Sequence, residues 1–140
     1  MASTTTPDSV RRLFERYADT FATHDVEAIV ALHTPDTQFW LHLDNEPVRG
    51  RAAVADAFAG FFEQWPKLGF EVYRVHTGSD HWVLDWALTA ELTRPDATPA
   101  PVRFDCVDIV TLDEDGLVVR KDTFVDYAQV ERALADAAGP

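Results

Sequence analysis

The stretch His81–Leu92, HWVLDWALTAEL, alternates without a break. Trp82, Leu84, Trp86, Leu88, Ala90 and Leu92 fall on one side, and His81, Val83, Asp85, Ala87, Thr89 and Glu91 on the other. Side chains of a strand point to opposite faces with period two, so this is a long strand with one buried face. The same period extends on both sides of it. Leu68–His76 upstream is expected to be a strand. Downstream, Arg94–Pro101 carries three prolines and is expected to be a connecting loop. Val102–Leu112 is a further strand, Asp113–Gly116 a tight turn, and Leu117–Val125 its hairpin partner.

The N-terminal half has a helical period instead. Residues 1–7 read as a disordered tail, and residues 8–137 as one domain. Asp8 or Ser9 is expected to cap a helix on which Val10, Leu13, Phe14, Tyr17 and Phe21 form the apolar stripe. Asp25 caps a short second helix with Val26, Ile29, Val30 and Leu32, ended by Pro35-Asp36. Thr37–Leu43 has strand composition, and Asn45-Glu46-Pro47 follows as a turn. A third helix runs over Arg51–Gln64. At the far end, Asp126 and Gln129 form a capping box for a helix over Tyr127–Ala137. Helices gathered at one side of a long antiparallel sheet give an α+β fold. A sheet this long must curl, and helices closing its open side leave an apolar pocket in a cone.

Composition narrows the function classes. The chain has 140 residues and is 46% hydrophobic, enough for a core. Twelve Lys and Arg against 24 Asp and Glu give a net charge of -12. That balance argues against nucleic acid and against anionic membrane as partners, since both need a basic footprint. No apolar run approaches a membrane span, and no leader pattern opens the chain, so the cytoplasm is the expected compartment. The single cysteine, Cys106, excludes a disulfide framework. No histidine pair has the spacing of a metal site; His42 and Asp44 share a face, but two ligands do not make a site. No phosphate loop or nucleophile elbow occurs, so no cofactor is expected.

Asp108 is the residue that points to chemistry. Its row reads Val102, Phe104, Cys106, Asp108, Val110, Leu112, with one charge among apolar neighbours. A carboxyl taken out of water pairs or becomes neutral, and a neutral carboxyl donates to a developing oxyanion. The competing readings are a bulge that exposes it, or a pair with Lys121 on the next strand. Tyr17, on the apolar stripe of the first helix, is either a second donor or a core tyrosine bonded to backbone. His42, on the Trp40 face of the first strand, is either a general base or an exposed or interface histidine. Lys121 and Asp122 occupy opposite faces of the last strand, so only one faces the pocket; Asp122 is the alternative acid or base. Trp40, Leu41, Phe62, Trp86, Leu88, Cys106 and Lys121 are the expected substrate-binding lining.

Three segments carry a family resemblance: Tyr17–Asp25 (YADTFATHD), Val48–Val54 (VRGRAAV) and Asp113–Asp126 (DEDGLVVRKDTFVD). Together with the order helix, helix, strand, helix and a four-strand meander, they resemble the SnoaL-like branch of the nuclear transport factor 2-like superfamily. That branch includes polyketide cyclases, ketosteroid isomerase and limonene epoxide hydrolase. The resemblance implies a cone-shaped fold and a pocket for a small apolar organic ligand. It matches Arg16-Tyr17 to the arginine–tyrosine pair of ketosteroid isomerase, and Asp108 to that enzyme's protonated aspartate. The isomerase's catalytic base falls on Leu41. The Arg-x-Asp pair of the epoxide hydrolase falls on Trp86 and Leu88. The expected function is proton transfer next to a carbonyl, giving isomerisation, cyclisation or dehydration. The alternative is a binding or dimerisation module of the same fold. A homodimer through the sheet is expected either way, with the Trp40 and Asp85 faces meeting the partner.

Overall fold

In a computed structural model, which describes residues 5–43 and 45–139, the long alternating stretch is the spine of a six-stranded mixed sheet. The elements, in chain order, are α1 (Pro7–Ala22), α2 (Val26–Val30), β1 (His33–Leu41), β2 (Val48–Arg49), α3 (Arg51–Gln64), β3 (Gly69–Thr77), β4 (His81–Thr93), β5 (Pro99–Leu112), β6 (Val118–Val125) and α4 (Tyr127–Ala138). The sheet order is β2-β1-β6-β5-β4-β3. All neighbours run antiparallel except β1 and β6, which run parallel. The fold is α+β, an open sheet with four helices, and matches the expected cone.

The core follows from the alternation. On β5 every second residue from Ala100 to Leu112 is buried, Asp108 among them. On β4, Trp82, Leu84, Trp86 and Leu88 are buried on the same side. Val10, Phe14, Tyr17 and Phe21 of α1 close over them at helical spacing, joined by Val54 and Phe58 of α3. Burying each large side chain of this set contributes roughly 1.5–3 kcal/mol.

Local details differ from the sequence reading. The N-cap of α1 is Thr6, not Asp8 or Ser9: Thr6 and Ser9 each bond the other's backbone N–H, at 3.1 and 2.7 Å. Thr5 is buried, so the expected tail does not extend over residues 5–7, and residues 1–4 lie outside the described residues. The strand β1 starts at His33, four residues earlier than expected, and runs through Pro35. Its pairing with β6 slips between His33 and Gln38, and a proline fits in a strand where ladder bonds are interrupted. Similarly, β5 begins at Pro99, inside the expected loop. Asp126 caps α4 through the Gln129 N–H, but no reciprocal box forms. The Gln129 side chain instead accepts from Asp105 N–H and donates to its carboxylate.

Gly116 closes the β5–β6 turn with φ of 81°. A Cβ there would crowd only the tip of the Leu13 side chain, at 2.9 Å, which can shift, so it is the positive φ that favours glycine. No helix among the described residues is long and apolar enough to cross a membrane.

Candidate functional site

The site is built where α1 lies over β4, β5 and β6. Tyr17 comes from the buried stripe of α1, Asp108 from the inward row of β5, and Lys121 from β6. A register slip on β6 decides which of its residues turn inward. Leu112 pairs with Val118 and Thr111 with Arg120, so Val119 is an extra residue that resets the alternation. Lys121 and Thr123 therefore face inward beside Asp108, and Asp122 faces out.

Asp108 is 4% exposed and directly opposite Thr123, whose hydroxyl donates to Oδ1 at 2.8 Å. Lys121, also 4% exposed, places Nζ 3.8 Å from Asp108 Oδ2. The same Nζ lies 3.5 Å from the Tyr17 hydroxyl and within 4.4–5.3 Å of the ring centres of Phe21, Tyr17 and Phe58. The Tyr17 hydroxyl is 3.0 Å from His33 Nε2, and His33 Nδ1 is 2.8 Å from the Thr37 hydroxyl. Two bonds from Arg51 to the His33 carbonyl, at 3.0 and 2.6 Å, tie this end of β1 to α3.

Burial governs the charges here. It raises the pKa of Asp108, against the Lys121 charge and the Thr123 hydrogen bond. It lowers the pKa of Lys121, against the Asp108 charge. Each shift is opposed by the attraction between the two groups. Burial and then the Asp108 charge push Tyr17 well up. His33 is lowered to about 3 by burial and by the Lys121 and Arg51 charges, so it is a neutral imidazole. Burial pushes the Cys106 thiol up as well.

These groups face a small, narrow pocket with a volume of about 30 Å³. Asp108, Lys121 and Tyr17 are its polar side chains, set among Phe14, Phe21, Phe70, Trp82, Leu84 and Trp86. The buried Trp86 indole N–H lies near enough to Asp108 to favour its anion, yet makes no hydrogen bond of good geometry.

The other expected site residues lie elsewhere. His42 and Asp122 do meet, at 2.8 Å, but on the outer face of the sheet. The His42 ring stacks between Trp40 and Phe124, with centroid distances of 4.0 and 3.9 Å, and Arg120 also bonds Asp122. Burial alone would raise Asp122; the hydrogen bonds from Arg120 and His42 bring it below the ordinary carboxylate range. Trp40 lines an outer groove with His42, Asn45 and Glu46. Of the remaining expected lining, Leu88 and Cys106 are core, and Leu41 and Phe62 pack against it outside the pocket wall. Asp44 lies outside the described residues. Among the described residues, no group of three or more His, Cys, Asp or Glu is placed to hold a metal ion. His33, Thr37 and Thr123 were not expected. His33 was hidden because Pro35-Asp36 reads as a helix stop; Thr123 was legible as the residue two beyond Lys121 on one face.

A family model for the SnoaL-like domain matches residues 14–121. No curated protein matches the chain in sequence. Among solved structures, a protein from Jannaschia sp. CCS1 named as a SnoaL-like polyketide cyclase is 24% identical. Its TM-score is 0.80, with 100% of this chain and 99% of that one covered. SalBIII, described as an epoxide hydrolase/cyclase-like enzyme in pyran ring formation in salinomycin, is 19% identical. Its TM-score is 0.74, with coverage of 87% and 94%. A protein from Kribbella flavida DSM 17836 named as a ketosteroid isomerase is 24% identical, with a TM-score of 0.66 and coverage of 88% and 80%. At these identities the likeness is one of fold, and the three names belong to different chemistries. The family match spans most of the chain, with Tyr17, Asp108 and Lys121 inside it: the protein belongs to the SnoaL-like domain family of the nuclear transport factor 2-like superfamily.

Proposed function

We propose that the pocket binds a small, largely apolar carbonyl compound and moves a proton next to its carbonyl, using the chain's own side chains as acid and base. The product class would be that of an isomerisation, cyclisation or dehydration. One observation carries this reading: Asp108, Lys121 and Tyr17 converge on a single apolar pocket. The carbonyl oxygen sits beside the Tyr17 hydroxyl and the unpartnered Trp86 N–H, where fixed donors stabilise charge as it develops in a water-poor site. Asp108 takes the proton from the adjacent carbon and returns it. A raised carboxyl pKa suits that task, because acid and base forms then lie closer in energy near neutral pH. His42 and Asp122, on the outer face, have no part in the transfer.

The test is hydrogen exchange into cyclohexanone in deuterated buffer. Wild type is expected to speed exchange at the carbons next to the carbonyl, and Asp108→Asn to lower that rate by about 10²–10⁴-fold. Equal rates in the two proteins would sink the assignment. A second reading is favoured by Leu41, which brings no acid or base to the strand position where ketosteroid isomerase has its catalytic aspartate. On that reading the pocket only binds. Saturable binding of cyclohexanone without enhanced exchange would establish it.

A further inference from the structure

We propose that Lys121 is a nucleophile, whose Nζ condenses with the carbonyl carbon of a small aldehyde or ketone held in the pocket. This rests on the reading of the pocket as a carbonyl site and names the covalent step within it.

The geometry around Nζ is poor for a structural ion pair. Charge-assisted N–H···O bonds are about 2.7–2.9 Å long. The approach to Asp108 is 3.8 Å and that to Tyr17 is 3.5 Å. An ammonium has three donors to satisfy, and a buried pair offsets its desolvation only with close, well-bonded geometry. Lys121 instead faces aromatic rings and the open space of the pocket. Burial lowers the pKa of the amine, against the Asp108 charge. An amine desolvated in this way is the usual condition for imine chemistry.

Asp108 supplies the proton transfers that the step needs. The Nζ lone pair attacks the carbonyl carbon and a C–N bond forms. The carbonyl π pair moves to oxygen, which takes up a proton from the carboxyl. A nitrogen proton returns to Asp108, the carbinolamine oxygen is protonated, and it leaves as water while C=N forms. One water is released and nothing is oxidised or reduced. Asp108, again a carboxylate, then removes the neighbouring C–H proton, and that electron pair flows into the iminium to give an enamine. The iminium is a stronger electron sink than the carbonyl it replaces.

The sequence makes the test clean, because the chain has two lysines. Lys67 is exposed, with a side chain 72% accessible, and pairs with Glu91; Lys121 is the buried one. The folded wild-type protein is incubated at neutral pH with pentane-2,4-dione, whose condensation product with an amine is a stable enaminone. Proteolysis and mass mapping then compare the two lysines. The enaminone is expected on Lys121 in excess over the exposed Lys67, which has no pocket to hold the dione. The Lys121 adduct should be absent from Lys121→Arg, which keeps the charge. Labelling confined to Lys67 and the N-terminal amine would overturn the proposal, as would labelling of Lys121 only after unfolding in urea. Cyclohexanone exchange that proceeds in a protein with no Lys121 adduct removes the covalent step and leaves the proton-transfer reading intact. An adduct without exchange supports the nucleophile and removes that reading instead.

Discussion

His33 meets a hydroxyl at each ring nitrogen, Tyr17 at Nε2 and Thr37 at Nδ1. A neutral imidazole has one donor and one acceptor, so its two tautomers give Tyr17 different roles. With the proton on Nδ1, Nε2 accepts the Tyr17 proton and only lone pairs remain for the pocket. With the proton on Nε2, His33 donates to Tyr17 and frees the phenol proton for a ligand oxygen. The same burial makes His33 a liability in acid. Its pKa falls from 6.5 to about 3 on folding, so below pH 6.5 the unfolded chain takes up a proton that the folded chain refuses. Stability then falls with pH by about 1.4 kcal/mol per unit until about pH 3. Asp108 contributes with the opposite sign, since its raised pKa keeps a proton on the folded chain to higher pH. Comparison with His33→Gln isolates the histidine. Urea unfolding between about pH 7 and about pH 4 should show wild type losing stability faster than the variant. Parallel curves would contradict it.

Among the elements, those with an unbroken period were legible and those with a slip were not. β4 and β5 alternate cleanly, so the inward position of Asp108 followed from its neighbours. On β6 both rows are mixed, because the extra residue Val119 turns Val118 and Lys121 to the same side. No period-two reading recovers that, which is why Lys121 and Asp122 stayed as alternatives. On β1 the proline at the slip hid the strand's first half and His33 with it. Helix α1 shows the same limit at its start. Thr6, Asp8 and Ser9 are all capping types, and the choice rests on Pro7, which suits the first helical position. Thr6→Ala should therefore cost about 1 kcal/mol of stability by urea titration, whereas Asp8→Ala should change it by less than half as much. Equal losses would place the cap elsewhere.

At the scale of the whole molecule, the inner face of the sheet is covered and the outer face is partly bare. Ile109 and Phe124 are 39% and 41% exposed there, beside the Trp40–His42 stack. We propose that this face joins two copies of the chain. The net charge of -12 opposes association, and added salt screens it. Sedimentation should show a dimer that tightens with salt, and Phe124→Glu should shift it toward monomer. A wild-type monomer at all salt concentrations would refute the interface. The pocket on the other face has a property that needs no partner. Two of the four tryptophans, Trp82 and Trp86, stand in its wall, while Trp40 and Trp65 lie against other surroundings. Their indoles would touch whatever enters, and carbonyl groups quench indole emission on contact. The site is thus wired to its own fluorescence, and occupancy can be followed by light from the native chain without a label.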